Sequence, residues 1–376
     1  MIPFNKPVAV PKARQFVAEA MASSHHSGDG AFTRRCHSIL SERIPGCKPL
    51  LTTSCTHALE MAAILLEIGP GDEVIIPSFT FVSTANAFAM RGAKIVFADI
   101  RADTLNLDEQ TLERLITRNT KAIVVVHYAG VGCEMDEITR VAKKHGIAVV
   151  EDNAHGLFGS YRGRPLGSFG CLATQSFHET KNISCGEGGA LIVNDLGLFE
   201  RAEIIREKGT NRSRFFRGQV DKYSWVDLGS SYLPSDLLAA LLCGNLEAAD
   251  EIQADRRRVW EMYDRELSAW ADANGIRRPI IPVHCEQPWH MYYLLMPSLD
   301  ARTSFIEHLA SWGAKAVFHY LPLHLSEFGI RYGGKPGDCP VTEDVSERLV
   351  RLPMFATMTT EDTQKIIYAC REFVAT

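Results

Sequence analysis

KAIVVVHYAGVGCEMDEITRVAKKHGIAVVED, residues 121–152, holds two continuous apolar runs on either side of a charged segment that closes on Gly146. The runs read as strands, Lys121–Gly130 and Ile147–Asp152, and EMDEITRVAKKHG between them reads as a helix. Strands that are apolar throughout, separated by helices, belong to a parallel sheet covered on both faces. The same alternation continues upstream. Leu50-Leu51-Thr52-Thr53 is a short strand feeding SCTHALEMAAILLEI, a helix ended by Gly69-Pro70-Gly71. Glu73–Ser78 is a strand, Ser83–Arg91 a helix stopped by Gly92, Lys94–Ile100 a strand and LDEQTLERLI a helix. Downstream, Leu172–Phe177 and Ala190–Asn194 are strand-like, and a charged helix runs to Gly209. NRSRFFRGQVDKYSW reads as a basic loop. A long helical pattern starts near Ser235 and is strongly charged by Arg258, which places a domain change there. The expected organisation is a large α/β domain, residues 1–250, with a mainly parallel sheet, and a smaller C-terminal α/β domain, residues 251–376.

Composition narrows the function classes. The 376 residues carry 46% hydrophobic and 23% charged side chains, ordinary values for a globular chain. A net charge of -5 argues against a general nucleic-acid binder, so a site for an anion must be locally basic. Ten cysteines lie scattered without a CxxC pair or a zinc spacing, which fits free thiols in a reducing cytoplasm. MIPFNKPVAVPKARQ has no apolar leader, and no stretch reaches the ~18 apolar residues of a membrane span. No GxxxxGK[ST] loop and no GxGxxG turn opens any strand–helix unit.

In an open α/β sheet, ligands sit beyond the carboxyl ends of the strands. Four groups are expected there. Ser54-Cys55-Thr56-His57 starts a helix, and serves either as a simple N-cap or as an anion cradle built from exposed N–H groups. Phe79 and Phe81 follow the next strand; one suits the core, the other could cover a flat ring. Asp152 ends a buried strand, where a carboxylate is costly without a cationic partner. SFHETKNISCGEGGA, residues 176–190, offers Ser176, His178 and Lys181 before a glycine cluster that lets backbone pass close to a ligand. Anion cradle, aromatic plate, buried carboxylate and lysine are together what pyridoxal phosphate requires for its phosphate, ring, pyridinium nitrogen and aldehyde.

The chain also resembles the DegT/DnrJ/EryC1/StrS family of pyridoxal-phosphate-dependent sugar aminotransferases, over nearly its whole length. The likeness is carried by MIPFNKP, SGDGAFTRRC, TTSCTHALEMAA, PGDEVIIPSFTFVSTANAFAMRGAKIVFADI, VHYAGVGCEMDEI, VVEDNAHG, SFHETKN, REKGTNRSRFFRGQVDKYSW and FHYLPLH. The resemblance implies the type I fold of aspartate aminotransferase and a homodimer with active sites at the interface. It implies that Lys181 carries the cofactor and shuttles the proton. It also implies that Asp152 faces the pyridinium nitrogen, His155 lies near the ring hydroxyl and Phe81 stacks on the ring. Cys55, Thr56 and Ser176 then hold the phosphate. Two departures stand out: Asn153 where the family often has alanine, and Ser231 where many members have an asparagine that reaches the other subunit's phosphate.

The implied reaction takes the amine of L-glutamate and gives it to C4 of a dTDP-linked 4-keto-6-deoxyhexose. Arg212, Arg214, Arg217 and Lys222 form the local basic cluster for the diphosphate, or else a solvated loop. His319, Tyr320 and His324, with His25, His26 and Asp29, are candidates for the sugar end. Transfer to C3 is an alternative, as is a non-catalytic binding protein on the same scaffold. Lys181 argues against a sugar dehydratase of the related kind, which has histidine at that place.

Overall fold

The computed structural model describes residues 1–374. Seven strands form the central sheet: β1 (Lys48–Thr52), β2 (Glu73–Pro77), β3 (Lys94–Ala98), β4 (Thr120–Val126), β5 (Ala148–Asp152), β6 (Leu172–Ser176) and β7 (Gly189–Val193). Their spatial order is β1-β7-β6-β5-β4-β2-β3. Neighbours from β6 through β3 pair in parallel, and every residue of β2 and of β7 is buried. Helices cover both faces, as the continuous apolar runs require.

β7 runs against its neighbours β6 and β1. The cause lies in residues 177–188, which hold no helix. A parallel return needs a crossover of a dozen or more residues, usually helical, whereas this segment folds straight back. Register then aligns the functional edge. Ser176 lies opposite Gly189, Gly189 opposite Thr52, Asp152 opposite Thr174, and Val126 opposite Asp152. The loop that carries Lys181 therefore opens at the same edge as Asp152 and the start of the Cys55–Leu65 helix.

Three expected elements differ. LDEQTLERLI is only a 3-10 turn, Glu109–Thr111, and one α-helical turn, Leu112–Leu115, with Ile116 already extended on the way to β4. The basic segment contains a short helix, Arg212–Phe216, held by Arg214 to Glu200 and by Arg217 to Glu203. The helical pattern after Ser235 is two helices, Asp236–Glu247 and Ala249–Ala273, broken at Ala248.

A smaller antiparallel sheet lies in the C-terminal part: β8 (Tyr293–Leu295), β9 (Val317–Phe318) and β10 (Leu349–Arg351), in the order β8-β10-β9. Its apolar cluster runs from Val259 to Cys370 and takes in Ile2. The amino-terminal strap continues past this sheet, with Ile2 bridged to Ala314, Phe4 O accepting from Met354 N, and Val8 O from Asn245.

Gly189 makes a close backbone contact at the functional edge. A Cβ there would lie 2.3 Å from the Ser54 carbonyl carbon and 2.4 Å from Cys55 N. Backbone cannot yield as a flexible side chain does. Gly189→Ala should therefore destabilise the chain by at least the ~1–3 kcal/mol typical of overpacking. Urea unfolding measures it; a midpoint equal to wild type would show that the strand and the helix separate without cost.

Candidate active site

A cavity of about 760 Å³ opens at the carboxyl edge of the sheet. Its floor comes from the central sheet and its far wall from the segments around His290, His319 and Arg351.

At one end, the Ser54 hydroxyl caps the helix by accepting from His57 N at 3.1 Å. The N–H groups of Cys55 and Thr56 precede the first intrahelical bond and meet no acceptor among the described residues. Ser54 thus performs the capping, while the two N–H groups remain open as an anion cradle. Ser176 lines the cavity beside them. The aromatics divide the labour: Phe79 is 1% exposed and belongs to the core, whereas Phe81 is 58% exposed at the cavity, starting the Val82–Ala89 helix.

Asp152 is buried at the end of β5, beside Val126 of β4. Its Oδ2 accepts from Thr84 Oγ1 at 2.7 Å and its Oδ1 from Ala154 N at 3.2 Å. Thr84 gives its proton to the carboxylate, so Thr80 donates to Thr84 across 2.9 Å. Burial raises the Asp152 pKa, and the Thr84 bond only partly opposes it. No ion pair reaches Asp152 among the described residues. A ring cation placed against it would relieve that cost.

Lys181 is half-buried, and no hydrogen bond or ion pair holds its Nζ among the described residues. Burial lowers its pKa to about 8, against the opposite pull of Cys55 and Asp152. The Cys55 thiol is itself pushed far up by burial and stays neutral, so Asp152 is the effective anion near the amine. A desolvated amine of this kind is a nucleophile near neutral pH.

His155 stacks on His290 with ring centroids 4.4 Å apart. Burial drives both imidazoles neutral, and His155 Nδ1 is enclosed without any partner. His319 Nδ1 pairs with the Tyr128 hydroxyl at 3.0 Å, and Tyr320 lies next to it on the cavity. Asn153 is fully buried and donates to Leu166 O, away from the cavity.

These features fit pyridoxal phosphate. The open N–H pair suits the phosphate, the unpaired buried carboxylate a ring cation, the enclosed His155 Nδ1 a ring substituent, and the unheld Lys181 amine an aldehyde.

The structure brings Cys55, Thr56, Phe81, Asp152, His155, Ser176, Lys181, His319 and Tyr320 together. It leaves other candidates outside this cavity. His324 is fully buried elsewhere, with Nδ1 at 2.6 Å from Ser78 Oγ and Nε2 at 3.0 Å from Glu343 Oε1; its ring ties two segments together and does not line the sugar end. Asp29 is engaged by Arg206 at 2.6 and 2.7 Å. His25 and His26 are exposed and contact the carbonyls of Gly28 and Met21. Arg212 pairs with Glu207, Arg214 with Glu200 and Arg217 with Glu203, while Lys222 and Ser231 are exposed. Sequence reasoning missed Thr84, His290, Arg256 and Arg351. Thr84 had a signal, since it stands three residues after Phe81, one helical turn along the same face. The other three come from distant segments and had none.

The depressed pKa has a measurable sign. The Lys181 amine loses its proton as pH rises through about 8, well below an ordinary lysine. Labelling of the cofactor-free chain with an amine-reactive reagent, read at the Lys181 peptide, should show a midpoint near 8; a midpoint near that of surface lysines would refute the desolvated amine.

Comparison with known proteins agrees with this chemistry. Residues 12–371 match the DegT/DnrJ/EryC1/StrS aminotransferase family. The spore coat polysaccharide biosynthesis protein SpsC of Bacillus subtilis is 31% identical over 381 residues, covering 99% of this chain and 97% of its own. A Streptococcus pneumoniae protein solved in its pyridoxamine phosphate form superposes with a TM-score of 0.91 at 27% identity, covering 99% of this chain and 98% of that one. The same protein has been solved in a pyridoxal phosphate form. PseC of Helicobacter pylori, an aminotransferase involved in pseudoaminic acid biosynthesis, superposes with a TM-score of 0.87 at 26% identity, over 98% of this chain and 97% of that one. The chain belongs to the DegT/DnrJ/EryC1/StrS aminotransferase family, and is an enzyme that moves amino groups with pyridoxal phosphate.

Proposed function

We propose that the enzyme transfers the amine of L-glutamate to C4 of a dTDP-linked 4-keto-6-deoxyhexose. The product is then dTDP-4-amino-4,6-dideoxygalactose, and the chain is its transaminase, working in the cytoplasm. The observation that carries the reading is the free Lys181 amine at the cavity floor, beside Asp152 and facing a neutral wall of His155, His319 and Tyr320. The names of SpsC and PseC, polysaccharide and pseudoaminic acid biosynthesis, support a sugar as acceptor.

When bound, the cofactor supplies an aldehyde that takes up the amine and a ring that withdraws electrons from the adjacent carbon. The chain supplies the rest. Asp152, oriented by Thr84, holds the ring nitrogen protonated. Cys55 and Thr56 N–H groups, with Ser176, anchor the phosphate. Phe81 covers one ring face. Lys181 Nζ takes the proton from the donor carbon and delivers one to the sugar carbon, which requires the neutral amine that burial favours. Neutral imidazoles and phenols line the sugar end, where hydroxyl groups need donors and acceptors rather than charge.

The basic segment fits a homodimer. Arg212, Arg214, Arg217 and Lys222 lie off the cavity of their own chain, and a second subunit's cavity needs cations for the substrate diphosphate. In that assembly Ser231 takes the place facing the second subunit's cofactor phosphate.

The visible spectrum tests the reaction. The yellow absorbance of the loaded enzyme should bleach with L-glutamate and return with dTDP-4-keto-6-deoxyglucose, and the product should carry its amine at C4 with galacto configuration. Bleaching without return, or an amine at C3, would overturn the assigned acceptor.

A further inference from the structure

We propose that Arg351 is the recognition residue for the carboxylate of the amino donor. The inference rests on the aminotransferase reading above and adds a site to it.

Arg351 ends β10, and its side chain reaches the cavity. The guanidinium lies over the Phe4 ring, 4.7 Å from the centroid, and donates one bond, from NH2 to Phe318 O at 3.2 Å. Its Nε is shut off from solvent and has no acceptor. No carboxylate pairs with it among the described residues. The contrast with Arg256, the other arginine of the wall, is direct. Arg256 Nε donates to Trp289 O at 3.0 Å, and its NH2 donates to His290 O, so that side chain is already committed. The acids of the cavity are committed too: Asp152 to Thr84, and Glu187 to the neighbourhood of His178. Arg351 is thus a partly desolvated cation on the cavity wall, with NH1 making no hydrogen bond among the described residues. Such a charge is costly until an anion meets it, and the guanidinium fork matches a carboxylate.

Position selects which anion. Arg351 lines the same cavity as Lys181, the amine at the reacting end, and as His155, His290 and His319. In an α-amino acid, the carboxylate is one bond from the carbon that surrenders its proton. In a sugar nucleotide, the diphosphate hangs from C1, across the ring from C4. An anion bound near the reacting amine is therefore the donor's carboxylate.

The test uses the pyridoxal-phosphate-loaded enzyme, with Arg351→Gln and Arg351→Lys. Glutarate, a five-carbon dicarboxylate without an amine, reports binding alone. Arg351→Gln should weaken glutarate and raise the half-saturating L-glutamate for bleaching by about 10- to 100-fold, the usual worth of a charged hydrogen-bonded contact. Arg351→Lys should fall between it and wild type. Return of absorbance with the keto sugar, started from the pyridoxamine form, should keep its wild-type half-saturation. Unchanged glutarate and glutamate binding would overturn the proposal. So would a loss confined to the keto-sugar half, which would assign the guanidinium to the diphosphate. Should Arg351→Gln not retain the cofactor, Arg351→Lys decides the same question. A wild type inert to L-glutamate would refute the reaction assigned above, while the glutarate measurement still judges Arg351 separately.

Discussion

Residues 177–188 hold no helix, so after β6 the chain can only come back beside itself as the antiparallel strand β7. That return places Lys181 in the turn at the carboxyl edge and brings Gly189 against the backbone of Ser54 and Cys55. The lysine loop and the helix start with its two open N–H groups are thereby joined by one close contact. β5 lies on the other side of β6 and delivers Asp152 to the same edge, opposite Thr174. Chemistry that needs an amine, a carboxylate and open helix-start N–H groups around one cavity follows from the order of these strands.

Burial then sorts the charges. His155, His290 and His319 are pushed toward the neutral imidazole, and Cys55 and Tyr128 are held in their protonated, neutral forms. Lys181, Asp152 and Arg351 line this cavity too, and none of the three has an ion-pair partner among the described residues. A chain selected for stability alone would pair or remove such groups, because an uncompensated buried charge destabilises the fold. In the proposed reaction the cofactor aldehyde would meet Lys181, its ring nitrogen Asp152, and the donor carboxylate Arg351.

The sequence was readable where function follows local pattern. The strand–helix alternation showed the sheet, and the residues just after strands, Cys55, Thr56, Phe81, Asp152, His155 and Lys181, stand at the cavity. Reading failed where an outcome depends on partners from remote segments. His324 looked available in FHYLPLH, yet Ser78 and Glu343 occupy both its nitrogens. Asp29 looked like a ligand, yet Arg206 claims it. Arg351 and His290 carried no local mark, because the cavity gathers them from the smaller sheet and from the segment before it. The reversed direction of β7 was also hidden; its composition is that of a buried strand of either sense.

The central claim is that Lys181, alone of the lysines, is the amine that meets the cofactor aldehyde. The direct measurement is borohydride reduction of the chain in the presence of stoichiometric pyridoxal phosphate, followed by peptide mass spectrometry. The account predicts that the reduced adduct sits on the peptide containing Lys181. An adduct spread over exposed lysines such as Lys12 and Lys222, with Lys181 unmodified, would contradict it.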